Sequence, residues 1–119
     1  MKAFISVDLE GLPGVASLTM VSPWSSQFSI ASKVMTRLVN ATVDELFKNG
    51  FTEVLVADSH GYMTNINYVE LDSRGFSSHM SSYNLMWALP HLGSPASRSC
   101  FHWAWGCSGL PREPHILST

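Results

Sequence analysis

The chain has 119 residues, of which 45% are hydrophobic and 13% are charged, and its formal net charge is −2. This composition is typical of one globular domain with a modest core. The chain has no run of Lys or Arg that would indicate a nucleic-acid partner, and no apolar stretch of the roughly 20 residues that span a membrane. Its first residues lack the pattern of a secretory signal, so we expect a cytoplasmic protein that binds neither nucleic acid nor membrane.

The first predicted element is a strand. Residues 2–7, KAFISV, form an apolar run of strand length, which is typical of a strand buried on both faces of a parallel sheet. The run ends abruptly in two carboxylates, Asp8 and Glu10, with Gly11 behind them. Residues 11–27 then form a connection rich in Gly, Pro and Ser. It is longer than most loops, which indicates a functional or mobile segment.

A helix and a second strand follow. Residues 30–48 predict a helix because apolar side chains recur there at helical spacing, at Ile30, Val34, Leu38, Ala41, Leu46 and Phe47. Asn49-Gly50 supplies a helix stop. Residues 52–57, TEVLVA, predict a second buried strand, which ends in DSHG at 58–61. Because strand, crossover helix and strand form a right-handed βαβ unit, the sequence predicts a three-layer α/β fold with a mainly parallel sheet.

The polar clusters that end both strands predict a metal site. They lie just past the carboxyl ends of adjacent parallel strands, where open α/β sheets bind ligands. Asp8 and Glu10 point to the same side of an extended chain, and two carboxylates that close resist joint ionisation unless a cation lies between them. With His60 they form a mixed oxygen and nitrogen set suited to zinc or manganese. In the alternative, Glu10 is solvated and Asp8 caps the turn before Gly11.

The other residues of the DSHG segment are expected to have structural roles. Asp58 is expected to brace the turn at Ser59, and orientation of His60 is the alternative role for Asp58. Ser59 is not expected to be a nucleophile, because no G-x-S-x-G elbow surrounds it.

Three segments closely resemble the M55 family of zinc D-aminopeptidases: SVDLEG at 6–11, KVMTRLVNATVDELFKNGFTEV at 33–54 and EVLVADSHG at 53–61. The resemblance covers about residues 1–74. It implies release of N-terminal D-amino acids from short peptides by metal-activated water, two zinc ions per subunit and a homodecamer. It also implies that Asp8 bridges the two metal ions, Glu10 binds one of them and His60 binds the other.

The resemblance fades after about Arg74. The family has a further histidine ligand in a GYHA-like segment, a catalytic histidine in an SHT-like segment and a later glutamate ligand. By position, His102 would be the ligand and His115 the catalytic residue. Their neighbours, FHWAWG and GLPREPHILST, do not match those motifs, and no acidic residue follows Glu113.

The tail of the chain, residues 76–119, differs in composition from residues 1–75, which hold 13 of the 16 charged residues. We hypothesise that the tail is a frameshift product. Read one nucleotide later, the codons permit Phe-Ile-Gly at 101–103 and Pro-Gly-Ser-Leu-Thr at 111–115, and the family has similar segments. On this hypothesis His102 and His115 match the family only by accident. Residues 1–75 are then the N-terminal βαβ part of a single metallohydrolase-like domain, altered or truncated after about residue 75.

Two other functions stay open. Carboxylates at strand ends also hold magnesium in phosphoryl-transfer domains, but His60 argues against magnesium, which prefers oxygen ligands. Alternatively, the chain is a non-catalytic, truncated remnant that binds at most one metal ion, and binds it loosely. We expect two tightly held zinc ions in the enzyme and one or none in the remnant.

Overall fold

The computed structural model describes residues 1–78, 98–103 and 116–117, with side chains described over residues 1–75. The elements in chain order are β1 (Lys2–Val7), α1 (Leu18–Val21), α2 (Phe28–Lys48), β2 (Glu53–Asp58), β3 (Gly75–Ser78), β4 (Arg98–Trp103) and β5 (Ile116–Leu117). The two predicted strands and the predicted helix are confirmed. Helix α1 lies in the connection rich in Gly, Pro and Ser, where the sequence predicts no element, because four residues are too few to show a period.

The strands form one mainly parallel sheet with the order β3-β2-β1-β4-β5. Strand β1 pairs in parallel with β2 on one side and with β4 on the other, and only β5 among the described strands runs antiparallel to its neighbour. The predicted α/β fold is therefore confirmed. Strands from both sides of the predicted division near residue 75 share this sheet, whereas the frameshift origin of the tail stays a prediction.

Helix α2 packs against the sheet through one stripe of side chains. Ala31, Met35, Val39 and Val43 are at most 2% exposed and recur every four residues, which places them on one helix face. This stripe differs from the apolar series that indicates the helix in the sequence, since Ile30 of that series is 54% exposed. Apolar residues occur on both sides of α2, so the period predicted the helix but not the face that is buried.

Strand β1 is covered on both faces. Ala3, Ile5 and Val7 belong to the core that includes the helix stripe. Phe4 and Ser6 alternate with them along the strand, point to the opposite face and are also buried. The burial predicted for this strand is therefore confirmed.

The end of α2 fixes the direction in which the chain enters β2. Gly50 has a φ of 87°, a conformation that glycine adopts at little cost. The Gly50 N–H donates to the Phe47 carbonyl and the Phe51 N–H to the Leu46 carbonyl, both at 3.1 Å. This pair of hydrogen bonds closes the helix as the Asn49-Gly50 signal predicts. Neither described helix is both long enough and apolar enough to cross a bilayer.

Candidate metal centre

The carboxyl ends of β1 and β2 lie side by side at one edge of the sheet. In the parallel register Val7 is opposite Asp58, and the Ser59 N–H donates to the Val7 carbonyl at 2.8 Å. The residues that follow each strand therefore start from the same edge, which is the ligand-binding edge of open α/β sheets.

The turn after β1 presents two carboxylates on the same side. Leu9 is completely buried, and its burial turns its neighbours Asp8 and Glu10 away from the core. The Leu9 N–H also donates to Asp8 Oδ1 at 2.8 Å. Gly11 follows with a φ of 83°, which lets the chain turn at once. In the sequence D-L-E-G, the buried leucine therefore anchors the turn, and the side chains of the two acidic residues lie on the same side of it.

His60 brings an imidazole from the end of β2 to these carboxylates. Its Nδ1 lies 2.9 Å from Asp8 Oδ1 and 2.8 Å from Glu10 Oε2. The side chain of His60 is only 13% exposed, compared with 27% for Asp8 and 41% for Glu10. The three groups form one cluster in which the histidine is the most buried member.

The other ring nitrogen of His60 is held by the end of α1. Nε2 lies 2.9 Å from the main-chain carbonyl of Val21. A carbonyl oxygen can only accept a hydrogen bond, so Nε2 carries the proton of this bond. Nδ1 is then the nitrogen whose lone pair can be directed at a metal ion, and the partner of Nε2 sets this choice.

The surroundings of His60 favour its protonated form when no metal is present. Burial by itself lowers the pKa of the imidazole, but the hydrogen bond to Val21 and the negative charges of Glu10 and Asp8 outweigh it. The pKa of His60 is therefore raised above its ordinary value of 6.5.

The two carboxyls do not ionise equally easily. Burial, the hydrogen bond with Glu10 and the negative charge of Glu10 together raise the pKa of Asp8 above its ordinary value of 3.8. Burial also acts to raise the pKa of Glu10, but hydrogen bonds from Asp8, from the main chain and from His60 lower it below 4.5. Like-charge repulsion of this kind is relieved by a cation bound between the groups.

The donor atoms of this cluster fit a zinc ion. Asp8, Glu10 and His60 each offer one ligand atom, and these atoms lie within 4.8 Å of one another, the single such group among the described residues. Two carboxylate oxygens and one imidazole nitrogen match the ligands that zinc accepts. Magnesium prefers oxygen ligands alone, so the histidine makes it the poorer fit.

Comparison with known proteins identifies the family. The sequence profile of Peptidase_M55, described as D-aminopeptidase, matches residues 1–77, more than half of the chain. The chain belongs to the M55 peptidase family. The three segments that resemble this family in the sequence all lie within the matched range.

A curated sequence and a solved structure show how much of a relative's length this chain matches. The chain is 39% identical over 66 residues to the D-aminopeptidase of Bacillus subtilis (strain 168), which is 56% of this chain and 24% of that relative. A solved structure, the Zn-dependent D-aminopeptidase DppA from Bacillus subtilis, described as a self-compartmentalizing protease, matches with a TM-score of 0.64 and 35% identity. That match covers 66% of this chain and 28% of DppA. The chain thus spans about a quarter of the length of these relatives.

The structure brings together three of the five predicted site residues of this M55 chain. The side chains of Asp8, Glu10 and His60 converge. His102 lies in β4 opposite Ser6 of β1, and its side chain is outside the described residues. His115 lies outside the described residues altogether. The roles predicted for these two histidines stay predictions.

Asp58 and Ser59 have structural partners. The Asp58 carboxylate is 2% exposed and accepts hydrogen bonds from the main-chain N–H groups of Asn65 and Ile66, at 2.6 and 2.9 Å. It therefore braces the chain after β2. The predicted brace of the turn at Ser59 corresponds to a longer contact, 3.4 Å between the His60 main-chain nitrogen and Asp58 Oδ1. The Ser59 hydroxyl is hydrogen bonded to the Ser6 hydroxyl, with 2.6 Å between the oxygens.

Sequence reasoning missed two groups that act on His60. The Val21 carbonyl is a main-chain atom, and no side-chain pattern in residues 11–27 marks it. Asn65 lies seven residues after Asp58 in a loop that contains Gly61. Asparagine in such a loop is a signal for side-chain hydrogen bonding to the backbone, and it would have drawn attention to this position.

Proposed function

We propose that this chain is the metal-binding part of a zinc-dependent aminopeptidase that releases N-terminal D-amino acids from short peptides. The observation that carries the proposal is the convergence of Asp8, Glu10 and His60 at the carboxyl edge of the sheet. Membership of the M55 family supports the choice of D-aminopeptidase chemistry, and the Zn-dependence of DppA supports the choice of metal.

Each residue of the cluster would contribute a different property to metal binding. Asp8 and Glu10 supply negative charge, and His60 supplies a nitrogen whose direction is set by the Val21 carbonyl. When bound, zinc lowers the pKa of a coordinated water and polarises the peptide carbonyl. The buried Leu9 holds both acids at the edge, so the ligands are pre-arranged by the packing of the turn.

The test is the zinc content and peptidase activity of a full-length form of the protein, in which the reading frame after about residue 74 is restored. We expect two zinc ions per chain by elemental analysis after dialysis, and hydrolysis of a D-alanyl dipeptide in preference to its L-alanyl counterpart. His60→Ala should lower the zinc content and abolish hydrolysis. Glu70→Gln is the matched control, because Glu70 is exposed and lies outside the cluster. Unchanged zinc content and activity in His60→Ala would contradict the assignment.

The same measurements separate the other functions. A non-catalytic remnant would hold one zinc ion or none and leave both dipeptides intact. A magnesium-dependent phosphoryl-transfer domain would hydrolyse a phosphate ester with magnesium present and would not need His60. The imidazole in the cluster disfavours this last function, because magnesium prefers oxygen ligands.

The proposal extends to the tail and the assembly. We propose that residues 76–119 result from a frameshift near Arg74, that the protein is cytoplasmic and that it forms a homo-oligomer. The description of DppA as self-compartmentalizing supports the last point. Resequencing the gene from the codon for Glu70 tests the frame. A verified gene that encodes this tail unchanged, and related genes that share it, would overturn the frameshift. Light scattering and cell fractionation test the assembly and the location.

A further inference from the structure

A buried pair of polar side chains fixes the segment that carries His60. Asp58 and Asn65 are each 2% exposed. The Asn65 amide Nδ2 donates to Asp58 Oδ1 at 2.7 Å and to the His60 carbonyl at 2.5 Å. Asp58 Oδ1 also lies 3.4 Å from the His60 N–H. Both main-chain polar groups of His60 are therefore held by this pair.

The segment between the two residues is conformationally strained at Met63, which has a φ of 60°. Gly61 also has a positive φ, of 51°, which glycine adopts at little cost. A side chain in this left-handed region costs about 1 kcal/mol or more, so Met63 would not keep the conformation without outside support. The support comes from the Asp58 carboxylate, which receives donors from both ends of the segment, and from the Met63 N–H, which donates to the His60 carbonyl at 2.9 Å.

Helix α2 anchors the pair from outside. The Ser32 hydroxyl donates to the Asn65 carbonyl at 2.5 Å. One turn further along α2, the Thr36 hydroxyl accepts from the Asn67 N–H at 2.9 Å. One more turn on, Asn40 donates to the Glu70 carbonyl at 2.7 Å. Ser32 and Thr36 thus fasten residues 65–67, beside the pair, to the helix, whereas Asn40 fastens the chain further on, at Glu70.

We propose that Asp58 and Asn65 are positioning residues of the metal site, which hold the His60 main chain so that Nδ1 faces Asp8 and Glu10. The inference rests on the proposed function, because it concerns zinc affinity at that cluster. Neither residue is placed to bind the metal, since both polar groups are directed at main-chain atoms and at each other. Partners that orient a ligand in this way typically change metal affinity about 10- to 100-fold when they are removed.

The experiment measures zinc affinity of the full 119-residue chain by competition with a chelating dye. Asn65→Ala should weaken zinc binding about 10- to 100-fold and alter the visible absorption spectrum of the cobalt-substituted protein. Asn40→Ala is the matched control, because it also removes an amide that joins α2 to the following loop, but the hydrogen bonds of Asn40 go to Glu70 and Asp72. Asn40→Ala should lower thermal stability and leave zinc affinity and the cobalt spectrum unchanged.

Each outcome of these experiments either supports the positioning role or overturns it. A folded Asn65→Ala with wild-type zinc affinity overturns it, as does an equal loss of affinity in Asn40→Ala, which would indicate general destabilisation. If Asn65→Ala does not fold, Ser32→Ala replaces it and should weaken zinc binding in the same direction by a smaller factor. Wild-type zinc affinity in Ser32→Ala would then overturn the proposal.

A metal-free readout separates this proposal from the proposed function. If the wild-type chain binds no zinc, the zinc-dependent function fails. The position of His60 is then followed by nuclear magnetic resonance of its ring Nε2–H, which is hydrogen bonded to Val21. Asn65→Ala should make this proton exchange faster with solvent, whereas Asn40→Ala should not. Equal exchange in both variants would overturn the positioning role.

Discussion

The two nitrogens of the His60 ring have different partners, and this difference governs the chemistry of the cluster. Nε2 is tied to the Val21 carbonyl, and Nδ1 faces two carboxylates. In the metal-free chain a proton on Nδ1 can be shared between the carboxylates of Asp8 and Glu10. A metal ion must displace that proton in order to bind. The protonation of this one residue therefore links pH, metal binding and stability.

The stability of the metal-free chain should depend on pH through His60. Its pKa in the folded chain is raised above 6.5, so the folded state binds the proton more tightly than the unfolded state. The stabilisation by His60 is complete below 6.5 and is lost as pH rises through the raised pKa. Urea unfolding of the wild type and His60→Gln, with a chelator present, measures this difference. A stabilisation by His60 that grew with pH would contradict the assignment.

At the scale of the element, helix α2 joins the core to the loop that carries the site. One face packs on the sheet through Met35, Val39 and their neighbours. A polar row beside that face, formed by Ser32, Thr36 and Asn40, holds the chain that follows β2. Because both contacts belong to one rigid helix, the site edge and the core are positioned together.

The buried face of α2 can be tested with two substitutions to alanine. Met35→Ala should lower the free energy of unfolding by about 2–5 kcal/mol, because Met35 is completely buried and its removal leaves a cavity. Ile30→Ala should change it by no more than about 0.5 kcal/mol, because Ile30 is largely exposed. Chemical denaturation of both variants checks the difference. Equal losses would mean that the buried stripe is assigned to the wrong face.

For the whole molecule, the cluster connects chain segments that are distant in sequence. Asp8 and Glu10 follow β1, and His60 follows β2, with α2 between them. A metal ion held by all three would bind the folded chain and not the unfolded one, because the ligands converge only after the sheet has formed. Metal binding should therefore stabilise the fold.

Zinc should raise the stability of the wild-type chain and chelation should reverse the effect. The expected gain is about 2.7 kcal/mol at a free zinc concentration about 100-fold above Kd. Asp8→Asn should remove most of this gain, whereas Glu70→Gln, outside the cluster, should retain it. Thermal unfolding with zinc and with a chelator measures the effect. A zinc-dependent gain that persists in Asp8→Asn would exclude Asp8 as a ligand.

The sequence by itself determined the local elements, the family resemblance and the placement of Asp8, Glu10 and His60 at strand ends. Hydrophobic runs, helical spacing and the Asn49-Gly50 stop are local signals, and parallel pairing then brings the strand ends together. Only the tertiary structure decided that β4 lies beside β1 and which face of α2 is buried. It also decided that the Val21 carbonyl and the Asn65 amide form hydrogen bonds with His60. These features depend on contacts between distant segments and on main-chain atoms, which side-chain patterns do not encode.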